Sequence, residues 1–306
     1  MTLVAAIDPD GHGRAVLHLA ALLARSTADD VLLCAVIPAP WPPGVARVDA
    51  EYRAELERTA DRALTQALAR LPADLAVARL IHHARSSPAG LLEVAERRDA
   101  AGIVAGSSTH GAPGQIALGS VTSRLMHSAP LPVALAPRGF RCTPDGRLRR
   151  ITAAFGGTEG ADDLVIAAAG VAARAGATLR IASFAVRPHA PYTAGVGTEA
   201  DASMVAEWTQ EIEAAARTAL TDVDHLPAPP PRLDVVVGHG RSWEDALEDV
   251  PWGDGDVLVV GSSAIGPVAR VFLGSRATKI VRHSPVPVVV VPRAAAAELA
   301  AAAEAG

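Results

Sequence analysis

Cysteine, lysine and long apolar runs are what this 306-residue chain has least of. Its two cysteines, Cys34 and Cys142, cannot build a disulfide framework; they fit a reducing compartment and read as inert thiols. Arginine supplies all but one of the 28 basic residues, Lys279 being the exception, and they are scattered through a chain of formal net charge -5. That scatter excludes the basic footprint that nucleic-acid binding needs. The longest apolar runs, such as Val286 to Val291, fall far short of the roughly 20 residues of a membrane helix. The opening MTLVAAIDPDG has no basic n-region and reaches Asp8 too early for a signal peptide. A soluble cytoplasmic protein that binds neither nucleic acid nor membrane is expected.

What the chain does have is a repeat. Residues 106 to 120 read GSSTHGAPGQIALGS and residues 261 to 275 read GSSAIGPVARVFLGS. Each is followed by an identically spaced P-x-P-V run, at Pro130 to Val133 and Pro285 to Val288. Gly106 aligns with Gly261, Gly119 with Gly274 and Ser120 with Ser275 without a gap, so the chain is two homologous halves.

Each half alternates short apolar runs with helical periodicity. In the first, Leu3 to Ile7, Val31 to Ile37, Val77 to Ile81, Gly102 to Ala105 and Val133 to Ala136 read as strands. Between them Arg14 to Arg25, Asp49 to Leu71, Pro88 to Arg98 and Val121 to Ser128 read as helices. The second half repeats the order from Ile151 to Val291. Such alternation predicts right-handed crossovers and the α/β class: two tandem five-stranded open parallel sheets, each sandwiched by helices. The expected domains are 1–139 and 150–293, with a linker at 140–149 and an alanine-rich tail, helical or frayed, at 294–306. Both fifth strands begin with prolines and are strongly apolar, Val288 to Val291 most of all, which is a hazard on a bare sheet edge. The two are expected to pair, joining the halves as an intramolecular pseudo-dimer, and two chains could associate further into a homodimer.

In open sheets of this kind ligands bind beyond the carboxyl ends of the strands, where the strand order switches. The repeated loop runs from strand 4 to a helix that opens with Gly-Ser. Its glycines would let backbone approach an anion, and the helix start offers free N–H groups to phosphate. The structural reading of the same residues is that Ser120 and Ser275 are N-caps and the glycines only turn the chain.

These residues resemble the universal stress protein family in its tandem form, over nearly the whole length. Nucleotide-binding members carry G-x-x-G-(x)9-G-[ST] after strand 4, an Asp at the end of strand 1 and adenine contacts at the end of strand 2. The resemblance implies the HUP-type, adenine nucleotide alpha hydrolase-like Rossmann-type fold, and a nucleotide site at Asp8, Val36, Gly106, Gly119 and Ser120. Ala6, Ala105, Val121 and Thr122 would be neighbouring contacts. In the second half it maps onto Gly261, Gly274 and Ser275. The implied ligand is ATP, with Mg2+ only if bound with it, and the implied role is a regulator in the stress response.

The chain departs from that pattern at three places. The family's second glycine falls on Thr109 and Ala264, with Gly111 and Gly266 two places later, and the residue matching Asp8 in the second half is Gly156. A β-branched Thr suits positive φ poorly, and glycine offers no carboxylate. The first half is therefore the better nucleotide candidate. Other motifs fail on inspection. Gly11-His12-Gly13-Arg14-Ala15-Val16 lacks the third glycine of a dinucleotide fingerprint. Phe155-Gly156-Gly157-Thr158-Glu159 lacks the serines of a pyrophosphatase loop. His82 and His83 are adjacent on a strand and point to opposite faces, so they do not share a metal. Asp162-Asp163 suits a helix N-terminus. With no nucleophile, metal set or lysine near the loop, phosphoryl transfer lacks its charge stabilisation, and an efficient enzyme is not expected. Three readings stand: an ATP-binding regulator, a scaffold or interaction protein whose loops have become structural, and a weak ATPase.

Overall fold

The computed structural model of the chain describes all residues except 10–12, 40–45, 109–110, 158–159, 187–197 and 265–270. The chain divides into two compact units, Met1–Arg147 with Ala264–Phe272, and Leu148–Ser263 with Leu273–Gly306.

The first unit runs β1 (Thr2–Ala6), α1 (Arg14–Thr27), β2 (Asp30–Pro38), α2 (Ala46–Leu68), β3 (Val77–Ala84), α3 (Ser87–Arg97), β4 (Ala100–Gly106), α4 (Ser120–Ser128) and β5 (Val133–Ala136). Its strands are parallel in the order β3-β2-β1-β4-β5. β2 and β4 carry near-continuous burial because both sheet faces are covered. Helix α1 lies against β1, β4 and β5, α2 against β2 and β3, and α3 against β1 to β4. The edge strand β3 is only partly buried and bears Arg79, His82 and His83, polar side chains of the kind that blunt an exposed edge. His82 Nε2 meets Glu93 at 2.9 Å, and His83 Nε2 meets Glu57 at 3.1 Å, so the adjacent histidines serve different neighbours.

The second unit repeats this with β6 (Arg150–Ala154), α5 (Ala161–Ala175), β7 (Thr178–Val186), α6 (Thr198–Asp224), β8 (Leu233–Gly240), α7 (Trp243–Glu248) and β9 (Asp256–Ala264). A two-residue strand β10 (Val271–Phe272) follows in the part of the chain assigned to the first unit, and the second unit continues with α8 (Ser275–His283), β11 (Val288–Pro292) and α9 (Arg293–Ala305). Its strand order is β8-β7-β6-β9-β11, again parallel. The correspondence holds at single hydrogen bonds: the Ile103 N–H donates to Pro132 O at 2.9 Å, and the Leu258 N–H to Pro287 O at 2.9 Å.

The two units differ in what seals their first helix. On α1, the 142–147 segment is pinned by the Cys142 N–H donating to His18 Nδ1 at 3.5 Å and by Arg25 donating to Gly146 O at 3.2 Å. Arg147 donates back to Arg25 O. The Arg25 side chain, 6% exposed, also forms a two-pronged pair with Asp74 at 2.8 and 3.0 Å. On α5 the cover is α9, whose Ala295, Ala296 and Ala300 are buried. The two helices pack so closely that a Cβ on Gly170 would come 2.7 Å from Ala303 Cβ. The alanine-rich tail is thus an ordered helix of the second unit.

Candidate functional site

In the first unit, β1, β2 and β4 end together at the switch in strand order, and a cavity of about 600 Å³ opens there. Ala6 and Asp8 reach it from the end of β1, Val36 from β2, and Ala105 and Gly106 from β4. Gly119, Ser120, Val121 and Thr122 line it from the start of α4. Cys34, Val36 and Ala105 form a buried floor, whereas Asp8 and Ser120 stand exposed at the rim. Asp8 is the only charged side chain among the described lining residues; the other polar groups are the hydroxyls of Ser87, Ser107, Ser108, Ser120 and Thr122. Burial pushes the Cys34 thiol up to about 12, so it stays protonated and unreactive on the cavity floor.

The loop geometry explains its glycines individually. Gly119, not Ser120, is the N-cap of α4; Ser120 is the first helical residue, and no side chain caps the helix. Gly119 has φ -78°, ψ 177°, a conformation open to any residue. A Cβ there would meet only ordinary contacts, the nearest being Ser108 Cβ at 3.4 Å. Neither backbone nor packing therefore demands glycine at 119; what glycine leaves is empty space beside the uncapped N–H groups of α4. Gly114 and Gly111 are different cases. Gly114 has φ +80°, and a Cβ on Gly111 would come 2.5 Å from Ala117 Cβ. Between them the loop is held by its own bonds. The Ala117 N–H donates to Ser107 Oγ at 2.8 Å, the Ser108 N–H donates to Ala117 O at 2.8 Å, and Arg138 donates to Gly111 O. Thr109 lies outside the described residues, as does Gly266.

The second unit has its own cavity, of about 390 Å³, at the ends of β6, β7 and β9. Gly261 lines it, but its described lining includes neither Gly274 nor Ser275. Gly274 caps α8 at φ -58°, Ser275 is the first helical residue, and the lining resumes at Arg276 and Ala277. Ala264 is the last residue of β9. The strand registers match Val36 to Phe184 and Asp8 to Gly156. Where the first cavity has Ile7 and Val36, this one has Phe155 and Phe184, and Trp208 and Trp243 also line it. Among the described residues no group of His, Cys, Asp and Glu could hold a metal ion, and no helix is long and apolar enough to cross a membrane.

Ser87, Leu91, Ser107 and Ser108 also line the first cavity and were not expected from the sequence. The first two depend on how α3 lies against β2, which no local pattern encodes, while the serines sit inside the repeated loop and could have been read from it. The aromatic lining of the second cavity was likewise missed; aligning the halves at strand 2 would have flagged Phe184 against Val36.

Matching this geometry, the model of the universal stress protein family fits the chain twice, over residues 1–137 and 147–292. The chain is 39% identical over 300 residues to the universal stress protein Rv2319c of Mycobacterium tuberculosis and to Mb2346c of Mycobacterium bovis, covering 95% of this chain and 100% of each relative. In structure it is similar to a universal stress protein from Archaeoglobus fulgidus, with TM-score 0.66 and 18% identity over 95% of this chain and 98% of that one. It is also similar to a putative universal stress protein from Pseudomonas aeruginosa, with TM-score 0.57 and 16% identity over 99% and 97% of the two chains. The chain belongs to the universal stress protein family, in a form with two domains.

Proposed function

We propose that the first unit binds an adenine nucleotide, ATP, and that the protein acts as a nucleotide-binding regulator in the stress response. The observation that carries this reading is the space at Gly119: an uncapped helix start facing a cavity, beside a glycine that the protein's own backbone and packing do not require. Phosphates would accept from the first N–H groups of α4 and from the Ser120 hydroxyl, Asp8 would accept from a ribose hydroxyl, and the adenine would lie over the Val36 floor. Mg2+ would enter only with the nucleotide. The described lining holds no basic side chain to stabilise a transferred phosphoryl group, so the site favours binding over turnover.

The test is to denature gently purified protein, assay for released nucleotide, and titrate ATP by calorimetry into wild type and Asp8→Asn. Co-purified or titratable ATP whose affinity drops in the variant supports the proposal; no nucleotide and no heat at millimolar ATP overturns it. The alternative of a structural scaffold is favoured by the loop's internal bonding through Ser107 and Ala117. It predicts no ATP-dependent rise in melting temperature.

A further inference from the structure

We propose that the cavity of the second unit is a separate binding site for a planar aromatic acid, a ring system bearing one carboxylate and no sugar.

The first support is where this chain places its aromatics. It has only 4 Trp, 4 Phe and 2 Tyr. The largest fully buried side chains are all Leu, Ile or Met, and the one aromatic among the described buried core residues, Phe155, is itself on the cavity wall. Yet Phe155, Phe184, Trp208 and Trp243 converge on one cavity of about 390 Å³, a size suited to a small ligand. Trp208 is 38% exposed on that wall, a cost in water that an apolar ring would remove.

The second support is charge. Arg276 is the only charged residue in the described lining; it is exposed and has no carboxylate partner among the described residues. A planar guanidinium beside aromatic walls suits a carboxylate on a flat ring, held by two parallel hydrogen bonds. The carboxylate that would recognise a ribose is replaced by Gly156. A Cβ at Gly156 would meet nothing within 4 Å, so that end of the cavity stays open.

The experiment is calorimetric titration of the full chain with 2-naphthoate, with 2-naphthalenemethanol as its neutral counterpart and AMP as the nucleotide control. Saturable binding of 2-naphthoate at or below about 1 mM is expected. It should weaken at least tenfold in Arg276→Gln, in Gly156→Asp (which adds a repelling charge) and for the neutral alcohol. Trp243→Leu should remove both the binding and the quenching of tryptophan fluorescence that accompanies it. Asp8→Asn should leave 2-naphthoate binding unchanged, which separates this site from the proposed ATP site. No saturation, equal binding of the alcohol, indifference to Arg276→Gln, or equally tight binding of AMP dependent on Trp243 would each overturn the proposal. Because Arg276 is exposed, its substitution tests the site without threatening the fold.

Discussion

At the end of β1 the first unit places Asp8, and at the matching end of β6 the second places Gly156; at equivalent positions of the two clefts, Val36 gives way to Phe184 and Val121 to Arg276. Among the described lining residues, the first cavity has five hydroxyls and a single negative side chain over an apolar floor, the other four aromatics and a single positive side chain. The strand orders of the two units are alike, down to the bond from strand 4 to the proline before strand 5. The framework is shared because each strand and helix is needed to bury the others, while the residues at the strand ends that face the cleft differ.

The contrast extends into the sheets, and its largest expected effect lies there. Where the first unit pairs Thr2 with Ala100, the second pairs Arg150 with Asp256, whose side chain is 1% exposed and 3.2 Å from the guanidinium. Asp256 also accepts from the Gly253 N–H at 2.9 Å. Arg150→Ala would strand a buried carboxylate and cost about 3–5 kcal/mol in chemical denaturation, largely recovered in Arg150→Ala/Asp256→Ala. Thr2→Ala should change stability by less than about 0.5 kcal/mol.

Next comes the loop. Gly119→Val should weaken ATP about 100-fold, about 3 kcal/mol in calorimetry, with a small change in melting temperature, because its Cβ has room but its methyls would enter the cavity. Gly274→Val should leave ATP affinity unchanged; equal losses from both would mean the units are not specialised.

A smaller effect is expected at Thr152, which takes the place of Val4 in the sheet and is fully buried, with no hydrogen-bond partner for its Oγ1 among the described residues. Thr152→Val should raise the stability of the second unit by about 1 kcal/mol, read as a shifted urea midpoint.

The smallest is a pH effect confined to the first unit. Burial, and then the charge of Arg141, hold the His18 pKa below its ordinary value. Unfolded chains therefore take up a proton near pH 6.5 that the folded one resists. The stability that neutral His18 supports is intact above that pH and is lost as pH falls toward the depressed value. Melting curves between pH 7.5 and 5 should show this step, and His18→Gln should flatten it.

Much of this was legible before the structure. β5 spans Val133–Ala136, as the apolar run between prolines predicts, and the alternation of strand and helix carries through both units. Helix ends were less legible: the cap of α4 falls on Gly119 rather than Ser120, because capping depends on backbone angles that Gly-Ser leaves open. The first cavity could be anticipated because its residues follow strand ends in fixed order. The second could not, since Trp208 and Trp243 lie on different helices and only packing brings them to the same wall.

Helix α9 and the 142–147 segment perform the same task, each closing over the first helix of its own half from the chain that follows the fifth strand. The repeating module is therefore longer than the repeated sequence. Cutting the first half at residue 139 would uncover His18 and Arg25 on α1, and ending the second at Pro292 would bare the alanine face of α5. A half meant to stand alone has to carry its trailing segment, to Arg147 in one case and to Ala305 in the other.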